Sequence, residues 1–248
     1  MEIALISFSP TGGTLKCARL VAEGMGRIIK EIDLTDSAFE EAYISSSTTA
    51  LFAFPSYAGR LPLPLRERLG RIKGDGGDAV LVAVYGNRDI DDTLIEGADI
   101  VSENGFRIKA CVSAVAEHSL VRAYGKGRPD EKDARELSMF GKRIAMHDSY
   151  LQEFPGNRPY KESKRSGIVP ITDKEKCTSC SLCQRQCPTG AISIEDYSKV
   201  DPSKCISSTR CIVVCPRGAK HIDKEIIDNI DAMLSRVAAE RKENALFL

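Results

Sequence analysis

The chain carries no net charge: 35 Lys and Arg face 35 Asp and Glu. A nucleic-acid binder, or a protein held electrostatically on an anionic membrane, shows a surplus of one sign. Neither partner is expected here. Long apolar runs are also missing. "AVLVAVY" at residues 79–85 is among the longest, far short of the ~20 residues that span a bilayer, so no membrane insertion is expected. The opening "MEIALISF" has neither a basic n-region nor a cleavage pattern and reads as a strand. A soluble cytoplasmic protein is therefore the expectation. Two nucleotide fingerprints are absent as well. The glycine loop at 9–14 has neither the GK[ST] ending of a P-loop nor the spacing of G-x-G-x-x-G.

Cysteine is present but unevenly placed. Of nine, seven lie between 177 and 215, and only Cys17 and Cys111 lie elsewhere. Those two fall in apolar helix and strand patterns and are expected to be small buried hydrophobes. The seven fall into paired runs, "KCTSCSLCQRQCP" at 176–188 and "KCISSTRCIVVCP" at 204–216. Each run begins with lysine and closes with Cys-Pro. Where the first has Cys180, the second has Ser208. A disulfide framework belongs to small exported chains and is the weaker alternative. Thiolates are soft ligands suited to iron–sulfur clusters, zinc or Cu(I). Structural zinc sites separate two ligand pairs by a dozen or more residues. Here the first run reads C-x2-C-x2-C-x3-C-P, the iron–sulfur spacing in which three thiolates cap one cube and the last serves a second cluster.

Upstream, short apolar runs alternate with amphipathic segments. Strands are expected at 3–8, 28–34, 50–54, 79–85 and 107–116, with helices near 14–25, 61–71, 91–104 and 130–152. Nearly continuous apolar strands indicate a sheet covered on both faces. The alternation predicts an α/β fold with a doubly wound parallel sheet, and five strands suit the flavodoxin-like order 2-1-3-4-5. The reading divides the chain into a sheet domain at 1–152, a linker or wrapping arm at 153–170, a cysteine domain at 171–222 and a C-terminal docking helix at 223–248. The last rests on apolar residues at 226, 227, 230, 233, 234, 237 and 238.

Three loops follow expected strands at their carboxyl ends, where an open α/β sheet binds ligands. "SPTGGT" offers Ser9, Thr11, Gly12, Gly13 and Thr14 at a helix N-terminus, where backbone N–H groups favour an anion. "FPSYAG" brings Pro55, Ser56, Tyr57, Ala58 and Gly59, and "YGNR" brings Tyr85, Gly86, Asn87 and Arg88. "EHS" at 117–119 follows the fifth strand and adds a polar contact, although a lone His118 signifies little. Each loop also has an ordinary reading, as a strand-to-helix turn or a core aromatic.

The glycine loop resembles the phosphate loop of flavodoxins, S/T-x-T-G-x-T, which holds the FMN phosphate without a basic side chain. The cysteine runs resemble those of two-cluster bacterial ferredoxins. The whole chain is similar to flavodoxin–ferredoxin fusion electron-transfer proteins. That resemblance implies FMN at the three loops, with Tyr57 against the isoalloxazine. Ile90 and Asp91 stand where flavodoxins often have a second aromatic. It also implies crossed ligation: Cys177, Cys180, Cys183 and Cys215 on a [4Fe-4S] cluster, and Cys187, Cys205 and Cys211 on a second. Ser208 then takes the fourth ligand position of the second cluster. A serine hydroxyl is a hard donor that ionises reluctantly, so three outcomes stand open: a [3Fe-4S] cluster, a [4Fe-4S] cluster completed by serine or water, or an empty site. The implied function is electron transfer between FMN and the clusters for a low-potential redox partner protein. A flavin-dependent reductase and a ferredoxin with a flavin-free docking domain are the alternatives.

Overall fold

The nearly continuous apolar runs become the middle of a parallel sheet. In the computed structural model, which describes residues 1–163 and 166–248, the first half runs β1 (Glu2–Ser7), α1 (Gly13–Met25), β2 (Arg27–Asp33), β3 (Ala42–Ile44) and β4 (Thr49–Pro55). It continues through α2 (Leu63–Leu69), β5 (Ile72–Gly74), β6 (Gly77–Tyr85), α3 (Thr93–Glu103), β7 (Phe106–Val115) and α4 (Glu131–Ala145). Strands β2, β1, β4, β6 and β7 lie side by side in that order, all parallel. This is the flavodoxin-like doubly wound order.

Alternate side chains of the central strands feed two cores. On one face Leu5, Val80 and Val112 meet Cys17, Val21, Leu137 and Ile144 from α1 and α4. On the other, Phe52, Leu81 and Ile108 meet Leu65, Leu69, Leu94 and Val101 from α2 and α3. Cys17 and Cys111 are fully buried among these groups. Burial pushes the Cys17 thiol up to about 12 and raises that of Cys111 further, so both act as small hydrophobes. Helices α1 and α4 approach so closely that a Cβ on Gly141 would stand 2.1 Å from the Val21 carbonyl. The α4 start is fixed by reciprocal bonds between Asp130 and Asp133.

The second half is built from short pieces: β8 (Ile171–Thr172), α5 (Leu182–Arg185), α6 (Arg210–Val213), β9 (Lys220–His221), α7 (Lys224–Leu234) and β10 (Ala245–Phe247). Residues 153–163 form a strap. Asp92, 2% exposed at the start of α3, accepts from the backbone N–H groups of Asn157 (2.8 Å) and Lys161 (2.7 Å). Arg158 and Tyr160 both bond Asp99. Arg60, in a bidentate pair with buried Glu96, stacks 4.7 Å over the Tyr160 ring.

Two expectations need correction, and one pair of strands was not expected at all. The expected helix at 223–248 ends at Leu234, and the chain then returns to the sheet. There β10 pairs antiparallel with β7 and becomes the sixth strand. The open edge of β7 offers N–H and C=O groups that an extended segment satisfies; among those spaced apolar residues Val237 is half exposed while Ala238 is buried. The helix expected over 130–152 stops at Ala145. Finally, β3 and β5 form a separate parallel pair outside the main sheet. No helix among the described residues is long and apolar enough to cross a membrane.

Candidate functional site

The carboxyl ends of β1, β4, β6 and β7 open into one cavity of about 520 Å³. Its floor is supplied by the loops after these strands, at the point where strand order reverses and open sheets bind ligands. Thr11, Gly13 and Thr14 line it from the first loop. Gly12, at φ 90°, caps α1, and Ser9 Oγ accepts the Leu15 N–H at 3.0 Å. The remaining first-turn N–H groups of α1 have no partner within the helix. Pro55, Ser56, Tyr57 and Ala58 line the cavity from the second loop. Tyr57 and Arg60 exchange both backbone bonds, at 2.9 and 3.1 Å, around Ala58 (φ 51°) and Gly59 (φ 84°). Positive φ at both central residues is the tight hairpin turn that presents Tyr57 at the rim. Burial holds the Tyr57 phenol well above its usual range.

Tyr85, Gly86 and Arg88 line the cavity from the third loop, as do Glu117, His118 and Ser119 from the fourth. A Cβ on Gly86 would lie 2.5 Å from the His118 ring, so glycine is required where these loops touch. His118 Nδ1 accepts the N–H groups of Leu120 (3.3 Å) and Val121 (3.0 Å), and burial lowers its pKa. It is a neutral, structural histidine. Asn87 is not part of the lining. Its amide donates to the carbonyls of Ala238 (2.7 Å) and Glu240 (2.8 Å) and accepts from Lys242 N–H at 3.1 Å. Ser9, Gly12 and Gly59 shape the loops from behind.

The rest of the wall comes from segments the sequence did not associate with these loops. The strap adds Lys161 and Ser163, Ser166 and Ile168 add to it from the following segment, and α7 adds Ile230, Met233 and Leu234. Ile206 and Ser207, inside the second cysteine run, complete it. Two arginines fasten the cysteine runs to the sheet region, Arg68 holding the end of the first and Arg210 the second. Arg68 bonds the carbonyls of Leu34 and Pro188 at 2.7 and 2.6 Å. Arg210 bonds that of Pro10, in the glycine loop, at 3.0 Å.

Within the cysteine module the repeat is visible in the backbone. Asp173 and Asp201 accept from the N–H groups of Cys177 (3.1 Å) and Cys205 (3.0 Å). Ser179 and Ser181 take left-handed φ values of 54° and 61°; Ser207 and Thr209, their counterparts, take 55° and 57°. Ser208 thus sits in the same loop conformation as Cys180. The halves are tied crosswise: Asp173 N–H donates to Ala219 C=O at 2.8 Å, and Asp201 N–H to Ala191 C=O at 2.7 Å.

Crosswise pairing sorts the cysteines into two groups. Cys177, Cys180, Cys183 and Cys215 together line a small second cavity. Cys187, Cys205 and Cys211 form the other group: burial pushes Cys211 up to about 12, with Cys187, Cys205 and, from the first group, Cys183 adding to the rise and Lys220 opposing it. The closing cysteines accept matched N–H···S bonds, Ala191 to Cys187 and Ala219 to Cys215, each at 3.3 Å. At Cys215, burial acts against ionisation, yet backbone donors at Ala219, Arg217, Lys220 and Gly218 bring the pKa below its ordinary value. These N–H donors favour a thiolate, the form that binds metal. Among the described residues no group of three or more His, Cys, Asp or Glu is placed to hold a single metal ion. Ser208 is buried, with its Oγ at 3.5 Å from the Arg210 N–H.

Residues 176–219 match the family described as 4Fe-4S dicluster domain. No curated protein matches the chain. Solved structures that resemble it include a flavodoxin from the domain Archaea, at 16% identity over 59% of this chain and 97% of that one, with a TM-score of 0.40. A flavodoxin of Streptococcus pneumonia TIGR4 gives 18% identity over 59% and 99%, with a TM-score of 0.42. Rubredoxin oxygen:oxidoreductase of Desulfovibrio gigas gives 15% over 58% and 35%, with a TM-score of 0.39.

Proposed function

We propose that the chain is an electron-transfer protein with FMN in the sheet-edge cavity and two iron–sulfur clusters on crossed cysteine sets. The single observation that carries this reading is the position of Ile206 and Ser207. They lie between Cys205 and Ser208 and form part of the same cavity wall as Thr14 and Tyr57. A cluster on Cys187, Cys205 and Cys211 would adjoin a flavin at that wall. The set Cys177, Cys180, Cys183 and Cys215 lies beyond it, and Cys180 is exposed, which suits an outlet to a partner protein.

FMN would supply storage of one or two electrons, and each cluster would carry one at a time. The protein's own residues supply position and shelter. The first turn of α1 offers N–H groups to a phosphate, Tyr57 offers a ring face, and the Arg60–Glu96 pair holds the strap that walls the site. A reductase with its own small substrate needs free room over the flavin. Here that wall is taken by the strap, the cysteine loop and α7, which favours a carrier. The 4Fe-4S dicluster match and the N–H···S bonds support the cluster assignments.

Ser208 supplies no thiolate, so the second site is a three-thiolate site holding a [3Fe-4S] cluster. The test is anaerobic purification with flavin, iron and EPR measurements, on wild type and Ser208→Cys. Wild type should contain about one flavin and show the signal of an oxidised [3Fe-4S] centre beside a [4Fe-4S] cluster. Ser208→Cys should gain one iron per chain and lose that signal. A chain with both clusters but no affinity for FMN overturns the relay and leaves a ferredoxin with a docking domain.

A further inference from the structure

The repeat is broken at a second pair of positions, one that carries no ligand. Ile192 and Lys220 follow the closing cysteines of the two runs at the same distance. Each is 3% exposed. Their backbones behave alike: Ile192 bridges Val200, and Lys220 pairs with Thr172 at the matching place. The symmetry of the module therefore asks for an apolar side chain at 220, and the chain buries an ammonium instead.

A buried charge is unfavourable unless it is paired. Lys220 Nζ has one bond, to the Tyr197 carbonyl at 2.6 Å, and no ion pair joins it to a carboxylate among the described residues. Its surroundings point elsewhere. The side chain lines the small cavity together with Cys177, Cys180, Cys183 and Cys215. Its charge also favours ionisation of Cys183, in that set, and of Cys211, in the other. Thiolate-bound clusters are anionic, and reduction makes them more so. An ammonium beside them is stabilised by the thiolate groups this module gathers.

We propose that Lys220 is the counter-charge of the ferredoxin module: a buried cation, within reach of both ligand sets, that makes both clusters easier to reduce. This rests on the two-cluster reading above. Net charge and hydrogen bonding are among the main determinants of cluster potential. Ser208 acts in the same direction, since a missing thiolate removes negative charge from the second site. Both departures from the repeat thus favour retention of an electron inside the module.

The experiment is an EPR-monitored redox titration of the full, cofactor-loaded chain, comparing wild type, Lys220→Ile and Lys220→Arg. Isoleucine reproduces the residue that the repeat already accommodates at 192. Lys220→Ile should make each cluster about tenfold harder to reduce, about 59 mV for one electron. Lys220→Arg should stay near wild type. The difference should persist at high salt, because buried charges are weakly screened. Both clusters loaded in Lys220→Ile with unchanged potentials overturns the proposal and leaves Lys220 as a tie to Tyr197. If Lys220→Ile does not retain iron, Ile192→Lys decides: raised potentials support the proposal and unchanged ones overturn it. A wild-type chain that binds no iron–sulfur cluster refutes the two-cluster reading instead, and this inference falls with it.

Discussion

Arg68 reaches from α2 to the carbonyl of Pro188 at 2.6 Å, so a helix of the sheet region is bonded to the residue directly after Cys187. The same guanidinium holds the Leu34 carbonyl at 2.7 Å and is itself buried. Arg68→Met should leave both carbonyls without this donor and destabilise the docked module by about 2 kcal/mol. Hydrogen exchange of the amides at 186–190 should rise several-fold while that of β4 and β6 stays unchanged. Equal protection in the two proteins would show that the module is held by other contacts.

Asp92 predicts a pH dependence. Burial acts to raise its pKa, but the N–H groups of Lys161 and Asn157 prevail and hold it below the ordinary carboxylate value. A carboxyl with a depressed folded-state pKa stabilises above its unfolded pKa of about 3.9, and that contribution is lost as pH falls through the folded value. Strap docking should therefore be constant from neutral pH down to about 4 and weaken below it. Asp92→Asn should loosen the strap already at neutral pH by about 1–3 kcal/mol. Protease cleavage within 153–163, followed against pH, reads both effects.

Tyr57→Ala removes the ring that the hairpin turn presents to the cavity. Loss of an aromatic contact of about 0.5–1.5 kcal/mol should weaken FMN binding roughly tenfold or less, with iron content unchanged. Flavin fluorescence titration measures it. Because burial raises the Tyr57 pKa, the phenol stays neutral through the ordinary tyrosine range, and this contribution should not vary between pH 6 and 9 or so. Unaltered affinity would place the isoalloxazine elsewhere.

Deleting residues 245–248 should expose the β7 edge from Cys111 to Ser113, which β10 now covers. Exposed sheet edges template association with other chains. The shortened chain is expected to aggregate at concentrations where the full one stays monodisperse, as light scattering would show. Phe247→Lys, which keeps the backbone but places a charge on that edge, should give an intermediate result.

The central strands were legible because burial on both faces demands the unbroken apolar runs seen at 79–85. The cysteine sets were legible because ligand spacing is a local, short-range pattern. The cavity floor at Thr11, Gly13, Thr14, 55–58, Tyr85, Gly86 and Arg88 followed from loops placed at the carboxyl ends of the strands. What stayed hidden depends on distant contacts. Asn87 reads as a turn residue facing the ligand, yet its amide is taken by backbone more than 150 residues away. Ile206 and Ser207 become cavity wall through long-range docking, with Arg210 of their own run bonded to Pro10 in the glycine loop. The final apolar residues fit a helix or a strand equally well, and the vacancy beside β7 decided between them. Lys220 carried a signal that was available: aligning "TGAISI" with "RGAKHI" sets a lysine opposite an isoleucine at a buried position.

The order of synthesis gives β10 a further consequence. A ribosome makes β7 long before the cysteine runs, and it makes β10 only after both runs have emerged. Until then the nascent sheet has an unfinished border, and the finished border requires the chain to travel out through the cysteine module and back. Asn244, whose side chain accepts the Val115 N–H at 2.9 Å and donates to Asp133 and Glu136, closes that circuit. A chain whose cysteine module fails to fold would have its last strand tethered to a disordered loop, at a lower effective concentration beside β7. Completion of the sheet edge is therefore expected to depend on a folded cysteine module.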